Sequence, residues 1–179
     1  MKEGDKAMAD KTFAGLSYDA ALQKYADTVA GVCVMRLQNW ADAEDCFQNT
    51  FIKLFQKSPD FQSETHLKAW LIRVAINECR NYIAKNRRFL SLETRGSIAC
   101  EPMIRESLEW RENESDISWA LMMVEPKYRE VLYLYYCEQY KVNEIAGILG
   151  KSPNTVKTLL KRGRENLKAM YGGDDDERS

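Results

Sequence analysis

Apolar residues recur at helical spacing through the first half of the chain, and almost no segment alternates as a strand does. Ser17 suits the N-cap of a first helix, because its hydroxyl can accept a hydrogen bond from a free backbone N–H. The apolar stripe of this helix consists of Tyr18, Leu22, Tyr25, Val29, Val32 and Leu37. The pattern therefore predicts an all-α fold.

Two further helices follow in this half. The second spans roughly Asp42–Phe55 and ends before Pro59, which disfavours helix in the preceding residue. The third starts near Thr65 to Leu67 and runs to about Arg88. The predicted inward-facing residues are Phe47, Phe51, Leu54 and Phe55 in the second helix and Leu71, Val74, Ala75 and Ile83 in the third. Together the three helices predict a bundle of about 70 residues.

The segment Glu144–Met170 has the pattern of a helix-turn-helix. Gly150 can take the left-handed conformation that ends a helix, Ser152 suits the next N-cap, and Pro153 suits the first helical position. The apolar residues are Ile145, Ile148, Leu149, Val156, Leu159, Leu160 and Leu167, and Gly163 permits close packing. The opposite face of the second helix carries Asn154, Thr155, Lys157, Thr158, Lys161 and Arg162. This one-sided charge suits the major groove of DNA. A solvated hairpin is the alternative that we rank below it.

Helical periodicity fades between the two blocks, where acidic residues accumulate. We therefore predict two small helical domains joined by a flexible linker, namely a bundle at residues 17–90, an acidic linker at 91–114 and a helix-turn-helix domain at 115–171. Residues 1–16 are predicted to form a flexible N-terminus, and residues 172–179 an acidic, disordered tail.

Charge is distributed unevenly, although the formal net charge is only -1. Residues 66–88 hold six Lys or Arg and one Glu, and residues 151–170 hold the same numbers. Between these segments, residues 93–116 hold seven acidic residues and three arginines. Two basic elements separated by an acidic connector predict two surfaces that face anions.

The sequence lacks several features that would indicate a secreted, membrane-bound, metal-binding or catalytic protein. The cysteines form no C-x-x-C pair, and their odd number, five, predicts reduced thiols in the cytoplasm. No apolar run reaches the ~20 residues of a membrane span, and the N-terminus lacks an apolar signal core, so we expect a cytoplasmic protein. His66 has no Cys or His partner at ligand spacing, so we expect no metal and no cofactor. Without a phosphate-binding glycine loop or a catalytic pair, we expect no enzyme.

Two blocks of the sequence together resemble one protein family. DAEDCFQNTFIKLF (Asp42–Phe55) and HLKAWLIRVAINECRNYIAKNRR (His66–Arg88) are similar to the core-binding and promoter-melting domain of bacterial sigma factors. EPKYREVLYLYYCEQYKVNEIAGILGKSPNTVKTLLKRGRENLK (Glu125–Lys168) is similar to their fourth region. Because no recognisable third domain lies between the blocks, the chain resembles the extracytoplasmic-function (ECF) sigma factors over about Tyr18–Met170.

The resemblance implies a polymerase-binding surface on the second helix, which in the family docks on a coiled coil of the largest polymerase subunit. One face of this helix, opposite Phe47 and Phe51, carries Asp45, Gln48, Asn49 and Ile52. An acid, two amides and an aliphatic side chain suit an Arg-rich partner helix, so we expect these residues to bind core RNA polymerase. A solvated face is the alternative.

The family uses the loop before the third helix, and that helix itself, to open the promoter and hold unstacked bases. The corresponding residues here are Phe61, Gln62, Lys68, Arg73, Asn77, Arg80, Lys85, Arg87 and Arg88. We expect Phe61 and Gln62 to contact bases, because stacking and edge hydrogen bonds compensate for unpairing. Trp70 is predicted to be a core residue instead.

The resemblance implies that the helix-turn-helix reads the upstream, minus-thirty-five promoter element. The candidate residues are Ser152, Asn154, Thr155, Lys157, Thr158, Lys161 and Arg162. Gly163 stands where Ala is more usual in the family, and it should cost up to ~1 kcal/mol of helix propensity that packing must offset. The acidic linker is expected to thread near the active-site and RNA-exit channels of the polymerase. A cognate anti-sigma factor is a further expected partner.

Two other functions remain open at this point. A self-standing helix-turn-helix repressor or activator, with the bundle as a sensor or dimerisation element, explains the C-terminal motif. It leaves the basic third helix and the Asp45 face without a role. An inhibitor or adaptor that binds polymerase but not DNA ranks last. We interpret the chain as a dissociable initiation subunit whose two basic patches bind free promoter DNA only weakly and in a salt-sensitive way.

Overall fold

The computed structural model describes residues 11–57, 59–93 and 120–171, and within these ranges it describes all side chains except those of residues 87–93 and 171. The chain divides into two units, Met1–Gly96 and Ser97–Ser179. Both units are mainly helical in their described parts, which confirms the prediction of an all-α, two-domain fold. Most of the predicted linker and the predicted tail lie outside the described residues.

The first unit is a bundle of three mutually packed helices. They are α1 (Tyr18–Leu37), α2 (Trp40–Lys57) and α3 (Glu64–Glu93). The predicted cap of α1 is confirmed, since Ser17 Oγ accepts a hydrogen bond from the Ala20 N–H at 3.2 Å. Asn39 Oδ1 accepts one from the Asp42 N–H at 3.2 Å, so α2 begins earlier than the sequence pattern predicted.

The core of this bundle differs in detail from the predicted apolar stripes. Phe47 and Phe55 of α2 are only partly buried, and so are Val74 and Ile83 of α3. The buried positions of α2 are Ala43, Cys46, Thr50, Phe51 and Leu54. Those of α3 include Leu67, Leu71, Ile72, Ala75, Ile76 and Cys79. The predicted core residues Phe51, Leu54, Leu71 and Ala75 are therefore confirmed, and small or weakly polar side chains lie beside them where Phe47 and Phe55 were expected.

Three cysteines meet inside the first unit, one from each helix. Cys79 forms thiol hydrogen bonds with both Cys33 and Cys46, and all three side chains are buried. The hydrogen bond with Cys79, reinforced by burial, raises the pKa of the Cys46 thiol far above its usual range. The hydrogen bond with Cys33 has the same effect on the pKa of Cys79. These thiols are unoxidised and behave as packed core groups.

A short β-hairpin precedes α1 and corrects the expected flexible N-terminus, residues 1–16, at residues 12–16. Strand β1 (Thr12–Phe13) pairs antiparallel with β2 (Leu16–Ser17), with Phe13 opposite Leu16. The connecting residues Ala14 and Gly15 have φ values of 52° and 85°. Positive φ at both positions is the conformation of a tight hairpin turn, which glycine favours. The hairpin is ordered because the Phe13 side chain, only 1% exposed, packs into the bundle.

The second unit contains helical residues 120–123 and then the helices α4 (Pro126–Tyr136), α5 (Val142–Leu149) and α6 (Pro153–Tyr171). Arg129 of α4 is a buried cation at 3% exposure. Its guanidinium donates hydrogen bonds to the carbonyls of Leu121 at 2.9 Å, Met122 at 3.0 Å and Val124 at 2.7 Å. Burial lowers its pKa to about 10, so it stays charged at neutral pH while it caps the preceding helical segment.

The predicted helix-turn-helix is confirmed at its turn and at its helix contacts. Gly150 ends α5 in the left-handed region at φ 63°. Ser152 Oγ accepts a hydrogen bond from the Thr155 N–H at 3.1 Å, which caps α6. A Cβ on Gly163 would lie 2.9 Å from Leu132 Cδ1 and 3.2 Å from Tyr128 Cβ. Only a glycine allows α6 to approach α4 this closely without displacing a buried side chain.

Candidate polymerase and promoter interfaces

The predicted polymerase-binding residues form one exposed stripe on α2. Asp45, Gln48, Asn49 and Ile52 all lie on the solvent side of this helix. Ile52 is 46% exposed, which makes it one of the most exposed large apolar side chains among the described residues. The opposite side of α2 packs into the bundle, so these four residues are free of any core role. The stripe offers an aliphatic centre with amide and carboxylate groups around it, a composition suited to a mixed contact.

The first turn of α2 is fixed to α3 beside this stripe. The Tyr82 hydroxyl donates a hydrogen bond to Asp42 Oδ1 at 2.5 Å. This bond is the largest cause of the raised pKa of Tyr82, about 12, since it favours the neutral phenol. An ion pair between Lys53 and Glu78 joins the same two helices about three turns further along α2. The two contacts hold the exposed stripe of α2 at a set angle to α3.

The exposed face of α3 is the predicted promoter-melting surface. Arg73, Asn77, Arg80 and Lys85 are exposed, and Arg80 Nη1 donates a hydrogen bond to Asn77 Oδ1 at 3.3 Å. Lys68 is only partly buried and lies nearer the core side. Arg87 and Arg88 continue the same helix, but their side chains lie outside the described residues. Arg73, Asn77 and Arg80 therefore share one basic, solvent-facing surface of the helix, while Lys85 is exposed about a third of a turn round the helix from them.

The loop before α3 places one of the predicted base-contact residues in the core. Phe61 is only 7% exposed, because its ring packs against three other rings. The centroid distances are 5.6 Å to Trp70, 5.6 Å to His66 and 6.5 Å to Phe13. These rings cover Phe61, so the ring is not accessible to a base in this structure, and its contact with a base stays a prediction. Gln62, the next residue, is exposed as a base-contacting residue must be.

The start of α3 is anchored from α1. Glu64 forms an ion pair with Lys24 and accepts a hydrogen bond from the Tyr25 hydroxyl at 3.1 Å. The hydrogen bond from Lys24, and then that from Tyr25, holds the pKa of Glu64 below its usual range. Burial and the bond to Glu64 raise the pKa of Tyr25 to about 12. Ser63 Oγ accepts a hydrogen bond from the His66 N–H at 3.2 Å and so caps the helix.

The predicted DNA-reading face of α6 is exposed at every position. Its members are Ser152, Asn154, Thr155, Lys157, Thr158, Lys161 and Arg162. Val156 and Leu160 on the other side are buried against α4 and α5. The Thr158 hydroxyl donates to the Asn154 carbonyl at 2.9 Å, and the side chain remains exposed. The face combines cations, an amide and methyl groups, which are the groups that read base edges and phosphates in the major groove.

Arg164 lies outside this face, although it is a cation on the same helix. Its Nε donates a hydrogen bond to the Tyr136 hydroxyl at 2.8 Å. The guanidinium also lies 5.5 Å from the ring centroid of Tyr135 and 5.7 Å from that of Tyr136. These contacts with α4 draw Arg164 away from the residues proposed to read DNA.

Across residues 11–57, 59–93 and 120–171, no group of three or more His, Cys, Asp or Glu side chains could hold a metal ion. In the same ranges, no helix has the length and apolar character needed to cross a membrane.

Family models and individual proteins point to the same group. The Sigma-70 region 2 model matches residues 21–89, and the Sigma-70 region 4 model matches residues 117–167. The ECF RNA polymerase sigma factor SigW of Bacillus subtilis is 28% identical over 155 residues, covering 80% of this chain and 83% of SigW. SigM of the same species is 26% identical over 165 residues, covering 90% of this chain and 100% of SigM.

A solved structure shows the same fold. The sigma factor RpoE from Bartonella quintana, crystallised with the anti-sigma factor NepR, superposes with a TM-score of 0.69 at 23% identity. The match covers 88% of this chain and 98% of RpoE. Together with the two matching family models and the relatives, this fold shows that the chain belongs to the bacterial RNA polymerase sigma factors of the ECF type.

Proposed function

We propose that the first unit binds core RNA polymerase through the α2 stripe and melts the downstream promoter element through the α3 face, while α6 reads the upstream element. The family acts in promoter-specific transcription initiation with RNA polymerase and consists of regulators, not enzymes. The finer assignment rests on one observation. The same bundle exposes a mixed acid, amide and aliphatic stripe on α2 and a basic face on α3.

These two faces have different chemistry and therefore suit different partners. The α3 face is cationic, so it suits phosphates and unpaired bases. The α2 stripe has Asp45 and an exposed Ile52, so it repels phosphate but suits a cationic, partly apolar protein surface. A self-standing repressor would have no use for the stripe, and a polymerase-binding inhibitor would have no use for the α3 face.

We further propose that an anti-sigma factor binds this chain in the cytoplasm and masks the polymerase-binding stripe. RpoE of Bartonella quintana shares the fold and was solved with such a partner, NepR. An exposed apolar residue at the centre of a polar stripe is a suitable anchor for either partner, so the two would compete.

A run-off transcription assay with purified core polymerase and a randomised promoter library tests this proposal. The chain should confer initiation at one selected promoter sequence, and Asp45→Ala should lower the apparent affinity for core polymerase by roughly 10-fold, because it removes a charge from the contact. Asp27→Ala removes an exposed acid from α1 in the same unit and should have no such effect.

Three outcomes would contradict the proposal. One is the absence of promoter-specific initiation, and another is an equal effect of Asp45→Ala and Asp27→Ala on polymerase binding. Tight, sequence-specific binding of the isolated chain to duplex DNA would instead support the repressor alternative.

A further inference from the structure

The β-hairpin at residues 12–17 has no role in the functions assigned so far, yet its one aromatic residue is among the most buried in the chain. Phe13 is 1% exposed and packs on Phe61 at a centroid distance of 6.5 Å and on Tyr18 at 6.3 Å. Its tight turn and its pairing with Leu16 hold Phe13 in this position. Rings at these distances and tilts make favourable edge-on contacts.

The hairpin is also attached to the bundle on its other side. Tyr18 packs edge-on against Phe55 of α2 at 5.8 Å. Lys11, just before β1, donates a hydrogen bond to the Phe55 carbonyl at 2.9 Å and lies 4.3 Å from the centroid of its ring. The hairpin therefore bridges the end of α2 and the loop before α3.

The contact between Phe13 and Phe61 determines how Gln62 is presented. Phe61 is anchored by Phe13 on one side and by His66 and Trp70 of α3 on another. Ser63, on the far side of Gln62, caps α3 through its hydroxyl. Gln62 is thus an exposed residue between two fixed neighbours, so its backbone has little freedom to move away from a bound strand.

We propose that Phe13 is a positioning residue for promoter melting, which holds the loop of Phe61 and Gln62 in the conformation that captures an unpaired base. The proposal rests on the proposed function of the α3 face. A preorganised loop loses less conformational entropy when it binds, so the loop binds the unpaired base more tightly. In this arrangement Phe61 serves as an internal anchor and Gln62 as the group that meets the nucleic acid.

Amide hydrogen exchange tests the structural half of this proposal without any promoter. Phe13→Ala should speed exchange of the amides at residues 61–66 by about 10-fold more than it speeds exchange in the middle of α1, since local opening needs less free energy than global unfolding. Phe51→Ala is the matched control, because it deletes an equally large buried ring, 3% exposed, that packs on Phe47 and not on Phe61. Equal exchange in the loop for both variants would overturn the proposal.

Open-complex formation on the selected promoter tests the functional half, each variant being compared on duplex and on pre-melted templates. The measured quantity is the ratio of open-complex formation on the duplex template to that on the pre-melted template. Phe13→Ala should lower this ratio by about 10-fold, which is the loss expected from one base contact. Phe13→Leu keeps a large apolar side chain and should restore most of the ratio. Gln62→Ala should lower the ratio in the wild-type background and have little further effect beside Phe13→Ala.

Full additivity of Phe13→Ala and Gln62→Ala, or the same ratio for Phe13→Ala and Phe51→Ala, would show that Phe13 does not act through the loop. Failure of the wild-type chain to initiate at any promoter would remove the proposed function itself. The exchange measurement would still decide whether Phe13 holds the loop, so the two failures are distinguishable.

Discussion

The two basic helices, α3 and α6, present similar chemistry but are supported in different ways. α6 lies against α4 at Gly163, and α4 is tied to the preceding segment by the buried guanidinium of Arg129. The beginning of α3 is held by partly exposed groups, such as the Lys24–Glu64 ion pair, and by the rings around Phe61. Buried supports tolerate little change, whereas an exposed ion pair adds little to stability. We therefore expect substitutions behind α6 to have larger effects than those at the polar start of α3.

Arg129→Met should have the largest effect, because it leaves three buried carbonyls without their donor. We expect a loss of about 3–5 kcal/mol in the unfolding free energy of the second unit, the range seen when a buried charged partner is removed. Denaturant unfolding followed by circular dichroism measures it. Arg129→Lys keeps the charge but not the fork of donors, so it should recover only part of the loss. An unchanged midpoint for Arg129→Met would show that α4 does not depend on this contact.

Gly163→Ala tests the close approach of α6 to α4. Helix propensity alone favours alanine by about 1 kcal/mol, but the new Cβ would press on the buried Leu132, and overpacking of this kind costs about 1–3 kcal/mol. We expect net destabilisation in thermal or denaturant unfolding. Gly147→Ala in α5 is the matched control, because its Cβ would meet no atom within 4 Å and it should stabilise the unit. If both Gly163→Ala and Gly147→Ala stabilised the unit, α6 could move away from α4 without a loss of stability.

Arg162→Ala and Lys157→Ala test the exposed face of α6 itself. Removal of a base-specific contact should cost ~1–3 kcal/mol for the selected upstream element, whereas removal of a phosphate contact should weaken all sequences alike and reduce the salt dependence. Promoter competition in the polymerase complex, repeated at two salt concentrations, separates these cases. Lys168→Ala, an exposed cation beyond the proposed face, is the control. If promoter use is unaltered by either substitution, this face does not read DNA.

Glu64→Gln should have the smallest effect on unfolding free energy, because it removes an exposed ion pair and not a buried cation such as Arg129. The pKa of Glu64 is lowered in the folded protein, so its ion pair stabilises the first unit above the ordinary carboxyl value of 4.5 and this stabilisation is lost as pH falls through the folded pKa. The unfolding free energy should fall less between neutral and acidic pH in the variant than in the wild type. Glu44→Gln, at an exposed acid of α2, should behave as wild type. Identical acid sensitivity of Glu64→Gln and wild type would contradict this.

The exposed face of α6 was predictable residue by residue, and the burial of Phe61 beside α3 was not. The cap at Ser152, the left-handed Gly150 and the exposed polar face depend on residues within about two turns of one another, so local rules suffice. Phe61 was expected to meet bases because the family uses this loop to hold unstacked bases, and a base can stack on an aromatic ring. The ring that covers it, Phe13, comes from a hairpin whose only local signal is a glycine between short strand-forming pairs.

The sequence by itself determined the helical class, the two-domain order, the caps at Ser17 and Ser152 and the solvent-facing sides of α2 and α6, because each of these follows from short-range periodicity and capping. Only the tertiary structure decided that Phe13 covers Phe61, that Arg129 binds three carbonyls and that Cys33, Cys46 and Cys79 meet in the core. The physical reason is that the contacts of Phe13 and of the three cysteines join segments distant in the chain, while those of Arg129 depend on how α4 packs against the segment before it. Their partners depend on how helices pack, which no local pattern encodes.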